Sequence, residues 1–382
     1  MPRPPHAAPS IAAMPGTVYA PVSTGVETVA ASVCPLNVGD TWLAPMEGAR
    51  VENVLQDDHP GLNRYSDPRG LPELVDALVE KVRAENDFAA ERESILVSSG
   101  ATSVLACAAG MLAAPGEEVL ILSPFWPLIR GAVQSFRATP VEVPFYDRVG
   151  SADDAVAAVR EKLTDKSVAL YVCTPSNPTG RVLPRAWLEA LADFARVENL
   201  WLLSDEVYEN HVFRGEHVSL GSLAPERTLS SYSFSKAYGM AGYRIGYLTG
   251  PPDAIAETAK IGTHTYYAAP TPAQRVALIA LREGASWVAD ARARYQEVGD
   301  AAASLLGVAK PEGSTFLFLD VSQQLDERGS DGFLADCLAD GVALSPGASC
   351  GADYASWVRL CYTAAPPDEV LAAVRRVAAR LR

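Results

Sequence analysis

Residues 233–246 read Ser-Phe-Ser-Lys-Ala-Tyr-Gly-Met-Ala-Gly-Tyr-Arg-Ile-Gly, and this segment is the most informative stretch of the chain. Its lysine, Lys236, stands among small residues, which allow a bound molecule to approach the amine closely. Ser233 and Arg244 flank it and predict a phosphate clamp, because a hydroxyl and a guanidinium fork both donate hydrogen bonds to phosphate oxygens. A solvated lysine in a Gly/Ser turn is the alternative explanation for so short a motif.

The composition of the chain is that of a globular protein large enough for two domains. It has 382 residues, of which 48% are hydrophobic and 20% are charged. Its formal net charge of −14 argues against nucleic acid or an anionic membrane as a partner. No apolar run approaches the roughly 20 residues that cross a bilayer. We therefore expect small molecules as ligands, and a local anion site remains compatible with the acidic total.

The cysteines and the N-terminus bear on the cellular compartment. The six cysteines are widely scattered, without a paired spacing or a nearby histidine that would predict a metal site. This pattern favours reduced, mostly buried thiols in a cytoplasmic protein. Residues 1–15 are rich in proline and alanine and lack the pattern of a signal peptide, so we predict a frayed arm there.

Short apolar runs alternate with longer amphipathic stretches along the chain. The runs predict strands at 94–97, 118–122, 168–172, 200–203 and 316–321, and the stretches predict helices at 73–83, 104–112, 152–163, 185–196 and 273–303. Continuous apolar strands between helices are typical of a mostly parallel sheet that is buried on both faces. We predict a large α/β domain with such a sheet (residues 41–280) and a smaller α+β domain (281–382). Residues 1–40 should form an arm and a segment of the small domain.

Polar and aromatic residues follow four of the predicted strands. They are Ser99-Gly100-Ala101-Thr102, Trp126, Asn177 within Asn-Pro-Thr-Gly, and Asp205-Glu-Val-Tyr208. In open α/β sheets the ligand binds at the carboxyl ends of the strands, so these residues should meet in one site. Each alone has an ordinary alternative: a helix cap for Asp205, a core aromatic for Tyr208 and a turn for Asn177.

Taken together, these motifs resemble the fold-type I pyridoxal-phosphate-dependent aminotransferases of class I/II, which are aspartate aminotransferase-like. The resemblance runs from about Leu36 to the C-terminus. It implies the aspartate aminotransferase-like fold, pyridoxal 5′-phosphate as cofactor, and ping-pong transfer of an amino group from an L-amino acid to a 2-oxo acid.

The resemblance also implies roles for the residues that carry the chemistry. Lys236 would hold the cofactor as an internal aldimine and then move the proton at the substrate Cα. Asp205 would pair with the pyridine nitrogen, and Tyr208 and Asn177 would hydrogen-bond the phenolic oxygen. A lysine that is partly desolvated beside a cation has a lowered pKa, which suits a proton carrier.

The remaining roles concern the phosphate, the ring face and the substrate. The phosphate would be bound by Gly100, Ala101, Thr102, Ser233 and Arg244, partly through backbone N–H groups at a helix N-terminus. Trp126 would stack on the ring, and Arg359, Gly39 and Asn177 would hold the substrate α-carboxylate. Tyr65 would reach the phosphate of a neighbouring subunit, which implies a homodimer with shared active sites. A structural ion pair is the alternative for Arg359, and a turn is the alternative for Tyr65.

Two segments depart from the family pattern or stay unassigned. Residues 39–43 read Gly-Asp-Thr-Trp-Leu where the family usually has Gly-Glu-Pro-Asp-Phe, so we expect Trp42 to line or narrow the substrate pocket. Residues 263–268, with His264, Tyr266 and Tyr267, should lie near the site, although a packed aromatic cluster is the alternative. No residue matches the partner-subunit arginine that some relatives use for dicarboxylic substrates.

Two rival functions remain open from the sequence. The first is a β-lyase, or an eliminating or cyclising enzyme on the same scaffold, because such chemistry diverges only after the Cα proton is lost. The second is the effector-sensing domain of a transcription regulator. The acidic charge, and the lack of a helix-turn-helix pattern before Gly39, weigh against the regulator.

Overall fold

The computed structural model describes residues 8–14 and 33–382. The helices of the described residues are α1 (Pro9–Ala12), α2 (Pro72–Glu85), α3 (Ala101–Leu112), α4 (Leu128–Ser135), α5 (Ala152–Lys162), α6 (Arg185–Val197), α7 (Leu220–Leu223), α8 (Phe234–Ala237), α9 (Pro252–Thr265), α10 (Thr271–Glu283), α11 (Ala285–Leu306), α12 (Gly329–Ala339) and α13 (Pro367–Arg380). The strands are β1 (Ile95–Ser98), β2 (Glu118–Ser123), β3 (Thr139–Pro144), β4 (Ser167–Cys173), β5 (Trp201–Asp205), β6 (Thr228–Ser233), β7 (Gly246–Thr249), β8 (Phe316–Asp320), β9 (Ser345–Pro346) and β10 (Trp357–Cys361).

A seven-stranded sheet organises the larger part of the molecule, in the order β1-β7-β6-β5-β4-β2-β3. Strands β2 to β6 pair in parallel, whereas β7 runs antiparallel to both of its neighbours. Helices cover both faces, which is why β4 and β5 are apolar along most of their length and buried at nearly every position. The predicted mostly parallel, helix-flanked sheet is confirmed.

A three-stranded antiparallel sheet, in the order β8-β10-β9, organises the second part. Its apolar face packs on helices α11, α12 and α13 around a core that contains Leu319, Val358 and Val374. Leu36 is buried in the same core, and the backbone of Cys34 forms an isolated parallel β-bridge with that of Val342. The residues just before Gly39 thus pack with the C-terminal part of the chain.

The predicted helix over residues 273–303 is wrong in one respect, because it is two helices. Helix α10 ends at Glu283 and α11 begins at Ala285, with Gly284 between them. A Cβ atom at position 284 would lie 2.3 Å from the carbonyl oxygen of Ala280. Only glycine tolerates this close approach of backbone to backbone, so the chain changes direction there.

Part of the predicted frayed arm can be compared with the structure. Residues 1–7 and residue 15 lie outside the described residues. Pro9–Ala12 forms helix α1, which contacts α4. The terminal methyl group of Met14 lies close to Gly131 of that helix, at 3.1 Å from the point where a side chain at position 131 would begin. The described portion of the arm is therefore packed against the large sheet's helical layer.

The cysteines form no disulfide within the described residues, and the helices there are short or polar. All six cysteines are free and buried. Within residues 8–14 and 33–382, every helix falls short of the length and apolar character needed to cross a lipid bilayer.

Candidate active site

A cavity of about 220 Å³ opens at the carboxyl end of the large sheet, where it meets the small one. Its lining combines residues that are far apart in sequence: Val38, Gly39, Ala101, Thr102, Leu105, Trp126, Asp205, Val207, Tyr208, Ser233, Ser235, Lys236, Arg244 and Arg359. Ends of strands in the large sheet and Arg359 in the middle of β10 therefore contribute to one concave site, at the usual position of a ligand in an open α/β sheet.

Lys236 lies in the short helix α8, directly after strand β6. Ser233 begins this helix, and its hydroxyl accepts a hydrogen bond of 3.0 Å from the backbone N–H of Ser235. The amine of Lys236 donates to the carbonyl oxygen of Gly39. Burial is the main cause that lowers the pKa of Lys236, and the cations Arg359 and Arg244 lower it further, whereas Cys361 and Asp40 act in the opposite direction. A greater neutral fraction makes this amine a better nucleophile and base.

The N-terminus of helix α3 and the Arg244 side chain form a cradle for an anion. Gly100 precedes the helix with a φ of +79°, which leaves the backbone N–H groups of Ala101 and Thr102 at the helix start. A Cβ atom at position 100 would lie only 2.5 Å from Nη2 of Arg244. Arg244 itself has a φ of +54°, and its Nη1 donates a hydrogen bond of 2.8 Å to the carbonyl oxygen of Ala241. A guanidinium, helix N–H groups and the Ser233 hydroxyl are the donors that a phosphate requires.

Asp205 ends strand β5 at the floor of the cavity. The Tyr171 hydroxyl donates a hydrogen bond of 2.6 Å to its Oδ2. Burial raises the pKa of Asp205 to about 6, and the neighbouring carboxylate of Glu206 adds to this rise. A buried carboxylate of this kind gains most from a cationic partner, such as a protonated ring nitrogen.

Two aromatic side chains stand on the walls of the cavity. The ring of Tyr208 packs edge-on against Phe316 at 5.9 Å between ring centres, and burial raises the pKa of its hydroxyl. Trp126 follows strand β2 and packs, partly buried, against the core beneath the sheet. A phenol that keeps its proton can donate a hydrogen bond, and an indole can cover the face of a planar ring.

Arg359 lies on strand β10 and is 1% exposed, although it carries a full charge. Its Nη1 donates to Oδ1 of Asn177 at 3.0 Å, and its Nη2 donates to the carbonyl oxygen of Asn37 at 2.9 Å. Its Cζ lies 4.4 Å from the ring centre of Phe316. These partners hold the guanidinium in place at the wall of the cavity, which it lines.

The structure brings most of the predicted site residues together and places others elsewhere. Tyr65 is 87% exposed and lies in a separate groove, where its ring meets that of Tyr267 at 5.0 Å. Trp42, expected to line or narrow the substrate pocket, is not among the residues that line the cavity; its ring is partly buried and packs edge-on against Tyr295 at 4.6 Å. His264 is exposed and pairs with the carbonyl oxygen of Lys260. Residues 266–271 line the groove of Tyr65 and are not among the residues that line the cavity.

Several lining residues were not predicted from the sequence. Val38, Val207 and Ser235 each adjoin a predicted residue, and Leu105 lies one helical turn after Ala101, so neighbourhood and helical spacing could have found all four. Tyr171, which contacts Asp205 without lining the cavity, was harder to predict. A tyrosine in a buried strand indicates only that its hydroxyl has a hydrogen-bond partner.

A buried lysine with a lowered pKa, a buried carboxylate and a set of hydrogen-bond donors suited to an anion thus line one cavity. The sequence model of the family described as "Aminotransferase class I and II" matches residues 31–377. The chain belongs to this family. The predicted amino-group transfer is thereby confirmed, and the rival lyase is not favoured.

The similar proteins agree with this assignment. The aspartate/prephenate aminotransferase of Thermus thermophilus is 35% identical over 314 residues, which cover 79% of either chain. A bifunctional aspartate aminotransferase and glutamate/aspartate-prephenate aminotransferase from Petunia hybrida is 34% identical over 360 residues, or 87% of this chain and 73% of the relative. A solved aspartate aminotransferase from Thermus thermophilus with maleate is 30% identical, with a TM-score of 0.89 over 98% of this chain and 100% of that chain.

Proposed function

We propose that this chain binds pyridoxal 5′-phosphate in the described cavity and moves an amino group between an amino acid and a 2-oxo acid. The class I/II aminotransferases use this cofactor. The observation that carries the proposal is that the buried amine of Lys236, the carboxylate of Asp205 and the cradle at Gly100 and Arg244 share one cavity. The amine suits the cofactor's aldehyde, the carboxylate suits its ring nitrogen, and the hydrogen-bond donors of the cradle suit its phosphate.

The residues that would hold the cofactor follow from their chemistry. The phosphate would be bound by Gly100, Ala101, Thr102, Ser233 and Arg244. Asp205 would keep the ring nitrogen protonated, while Tyr208 and Asn177 would donate to the phenolic oxygen and Trp126 would cover the ring face. When bound, pyridoxal phosphate supplies an electron-withdrawing ring that stabilises negative charge at the substrate Cα.

Substrate binding and proton movement fall to four residues. Arg359 would bind the α-carboxylate of either substrate in a bidentate pair, with support from Asn177 and the backbone N–H of Gly39. Because both substrates carry that carboxylate, one arrangement serves both halves of the reaction. The lowered pKa of Lys236 suits it to take the proton from Cα and return it, once its amine is free.

The relatives support a substrate class. Their names refer to aspartate, glutamate and prephenate, which supports an amino or oxo acid with a second carboxylate as one of the two substrates. We also propose a cytoplasmic location, which the free, buried cysteines support.

The proposed assembly is a homodimer with shared active sites. The support is the position of Tyr65, whose ring is exposed and lies outside the cavity of its own protomer. We also propose domain bounds of 1–40, 41–280 and 281–382. The two separate hydrophobic cores around the large and small sheets support them.

The test of the cofactor assignment is spectroscopic. The purified protein should show an absorbance band in the visible or near-ultraviolet after pyridoxal phosphate is added, and borohydride should fix the cofactor on Lys236. A Lys236→Ala variant should retain neither the band nor the covalent label. Aspartate, glutamate and other amino acids are then added one at a time without an oxo acid. The substrate is the one that bleaches the band reversibly, and no band in the parent protein would refute the proposal.

The test of the shared site uses mixed dimers. Protomers that carry Lys236→Ala and protomers that carry Tyr65→Ala are unfolded, mixed and refolded together. If Tyr65 serves the partner's site, one site of each mixed dimer has both residues and regains parental cofactor affinity. If the mixed dimers are active but bind the cofactor only as weakly as Tyr65→Ala does, Tyr65 acts within its own protomer.

A further inference from the structure

Within residues 205–209, Asp205, Val207 and Tyr208 line the cavity, whereas Glu206 and Glu209 do not. This segment is a turn, held by backbone hydrogen bonds of 3.0 Å from Glu209 to Glu206 and 2.8 Å from His211 to Tyr208. A turn has no regular helix or ladder to fix it, so its side-chain anchors decide where Tyr208 points.

Glu209 is held by a closed triangle of polar groups. Its Oε1 accepts a hydrogen bond of 2.5 Å from the ammonium of Lys81, and its Oε2 accepts one of 2.7 Å from the amide of Asn86. Lys81 also donates to Oδ1 of Asn86 at 2.7 Å. Lys81 and Asn86 belong to the end of helix α2, which is 123 or more residues away in sequence. The triangle therefore ties the turn after β5 to a rigid helix.

This ion pair is buried, which makes a purely stabilising role a poor explanation. Lys81 is 8% exposed, and its ammonium lies 4.7 Å from the ring centre of Tyr232. The desolvation of two charges offsets much of their attraction, so well-packed apolar residues are often as stable as a buried ion pair. What a buried ion pair adds is a defined geometry: the Glu209 side chain is 11% exposed and depends on Lys81 for a cation, whereas Lys81 also lies 3.7 Å from the exposed carboxylate of Glu85.

Glu206 is anchored by a second polar cluster. Its carboxylate is fully buried and accepts hydrogen bonds from the side chains of Ser204, Ser219, Ser230, Tyr232 and His217 at 2.8 to 3.0 Å. Tyr232 belongs to both clusters, since its hydroxyl donates to Glu206 and its ring faces Lys81. Lys81 and Glu209 of the triangle lie beside the end of strand β6, which leads to Lys236. They line one small cavity of about 10 Å³ together with Tyr232 and Ser233 of that strand.

We propose that Lys81 and Glu209 are positioning residues for Tyr208. They fix the backbone next to Tyr208 from the side that faces away from the cavity, and so aim its hydroxyl at the ring oxygen of the cofactor. This inference rests on the proposed function, because it assumes that Tyr208 donates to that oxygen. Lys81 and Glu209 touch neither cofactor nor substrate, and they act through Tyr208 alone.

The experiment is a double-mutant cycle read by absorbance. Lys81→Met and Glu209→Gln are made in the parent and in a Tyr208→Phe background, and the pH midpoint of the bound cofactor's absorbance change is measured for each. A misplaced donor stabilises the ring oxygen less, so each single variant should shift the midpoint by about 0.5 pH unit or more. In the Tyr208→Phe background the same substitutions should shift it by less than about 0.2 unit, since the hydroxyl is already gone.

Two controls separate positioning from general loss of stability. Leu191→Ala removes apolar contacts in the fully buried core around α6 and should lower the unfolding temperature without moving the midpoint. Where Lys81→Met yields too little folded protein, Asn86→Ala breaks the same triangle without removing a charge, and it should shift the midpoint in the same direction.

The outcomes are distinct. Equal shifts with and without the Tyr208 hydroxyl, or a shift in Leu191→Ala, would overturn the proposal and leave the triangle a support of the fold. Unshifted midpoints in Lys81→Met, Glu209→Gln and Asn86→Ala would overturn it as well. A parent protein that gives no cofactor band refutes the proposed function instead, so the two failures cannot be confused.

Discussion

Replacing Arg359 by lysine tests the substrate-binding role with the charge retained. The guanidinium uses both of its terminal nitrogens, on Asn177 and on the carbonyl oxygen of Asn37, and its plane packs over Phe316. A lysine ammonium is a point donor on a flexible stem and cannot reproduce this fixed fork. It should therefore bind the α-carboxylate through one hydrogen bond where arginine makes two.

The expected magnitude follows from that loss of one charged hydrogen bond. Hydrogen bonds to charged groups contribute about 1.5–3 kcal/mol each, so about 2 kcal/mol should be lost. At about 1.4 kcal/mol for each factor of ten, kcat/KM should fall about 30-fold. The carboxylate is bound alike before and during the reaction, so most of the loss should appear as a higher KM.

The assay measures kcat and KM for both substrates, together with the affinity for pyridoxal phosphate. Arg244→Lys is the matched control, because it changes the same residue type at the anion cradle beside Gly100. We expect that control to weaken cofactor binding and Arg359→Lys to leave cofactor binding nearly unchanged. A kcat/KM within about 3-fold of the parent, or a loss confined to cofactor affinity, would refute the assignment of Arg359.

Two further predictions concern the floor and the cradle of the cavity. Burial raises the pKa of Asp205 from 3.8 to about 6, so its ionisation opposes folding as pH rises through this range. A shift of about 2 pH units at about 1.4 kcal/mol per unit makes cofactor-free Asp205→Asn more stable than the parent by about 3 kcal/mol near pH 8, with little difference near pH 4. The variant should therefore unfold at a higher temperature near pH 8, and equal unfolding temperatures there would contradict this. Gly100→Ala would place a Cβ 2.5 Å from Arg244 and should weaken pyridoxal phosphate binding about tenfold or more while the protein still folds, and unchanged affinity in a cofactor titration would count against the cradle.

The parts of the site that the sequence predicts are those that follow an apolar strand. Asp205 and Tyr208 could be placed because β5 is a short apolar run, and the end of such a strand in a parallel sheet faces the ligand edge. The contact between Arg359 and Asn177 spans 182 residues, and only the resemblance of their motifs to a known family brought them together. Composition and periodicity carry no information about a contact of that range.

The parts that the sequence does not predict have physical reasons. Trp42 is a large aromatic in a loop near Gly39, and its contacts with Tyr295 and with the core around the small sheet, made over long sequence distances, decide its place. The break at Gly284 depends on a backbone contact with Ala280 that interrupts an otherwise helical pattern. The triangle around Glu209 joins two polar segments whose own patterns indicate only solvent exposure.

The charges of the cavity imply that bound anions control the basicity of Lys236. Three cations, Lys236, Arg244 and Arg359, line one small cavity, and the two arginines lower the pKa of the amine. An anion on either arginine offsets this repulsion, so the pKa of Lys236 should rise when phosphate occupies the cradle, and rise again when a carboxylate pairs with Arg359. Bound anions would thus raise the proton affinity of the amine and reduce the neutral fraction that the lowered pKa gives it in the empty site. The pH dependence of Lys236 acylation in cofactor-free protein, with and without phosphate and succinate, measures this directly. An unchanged or lowered midpoint in their presence would show that burial alone sets the pKa and that the arginines serve binding only.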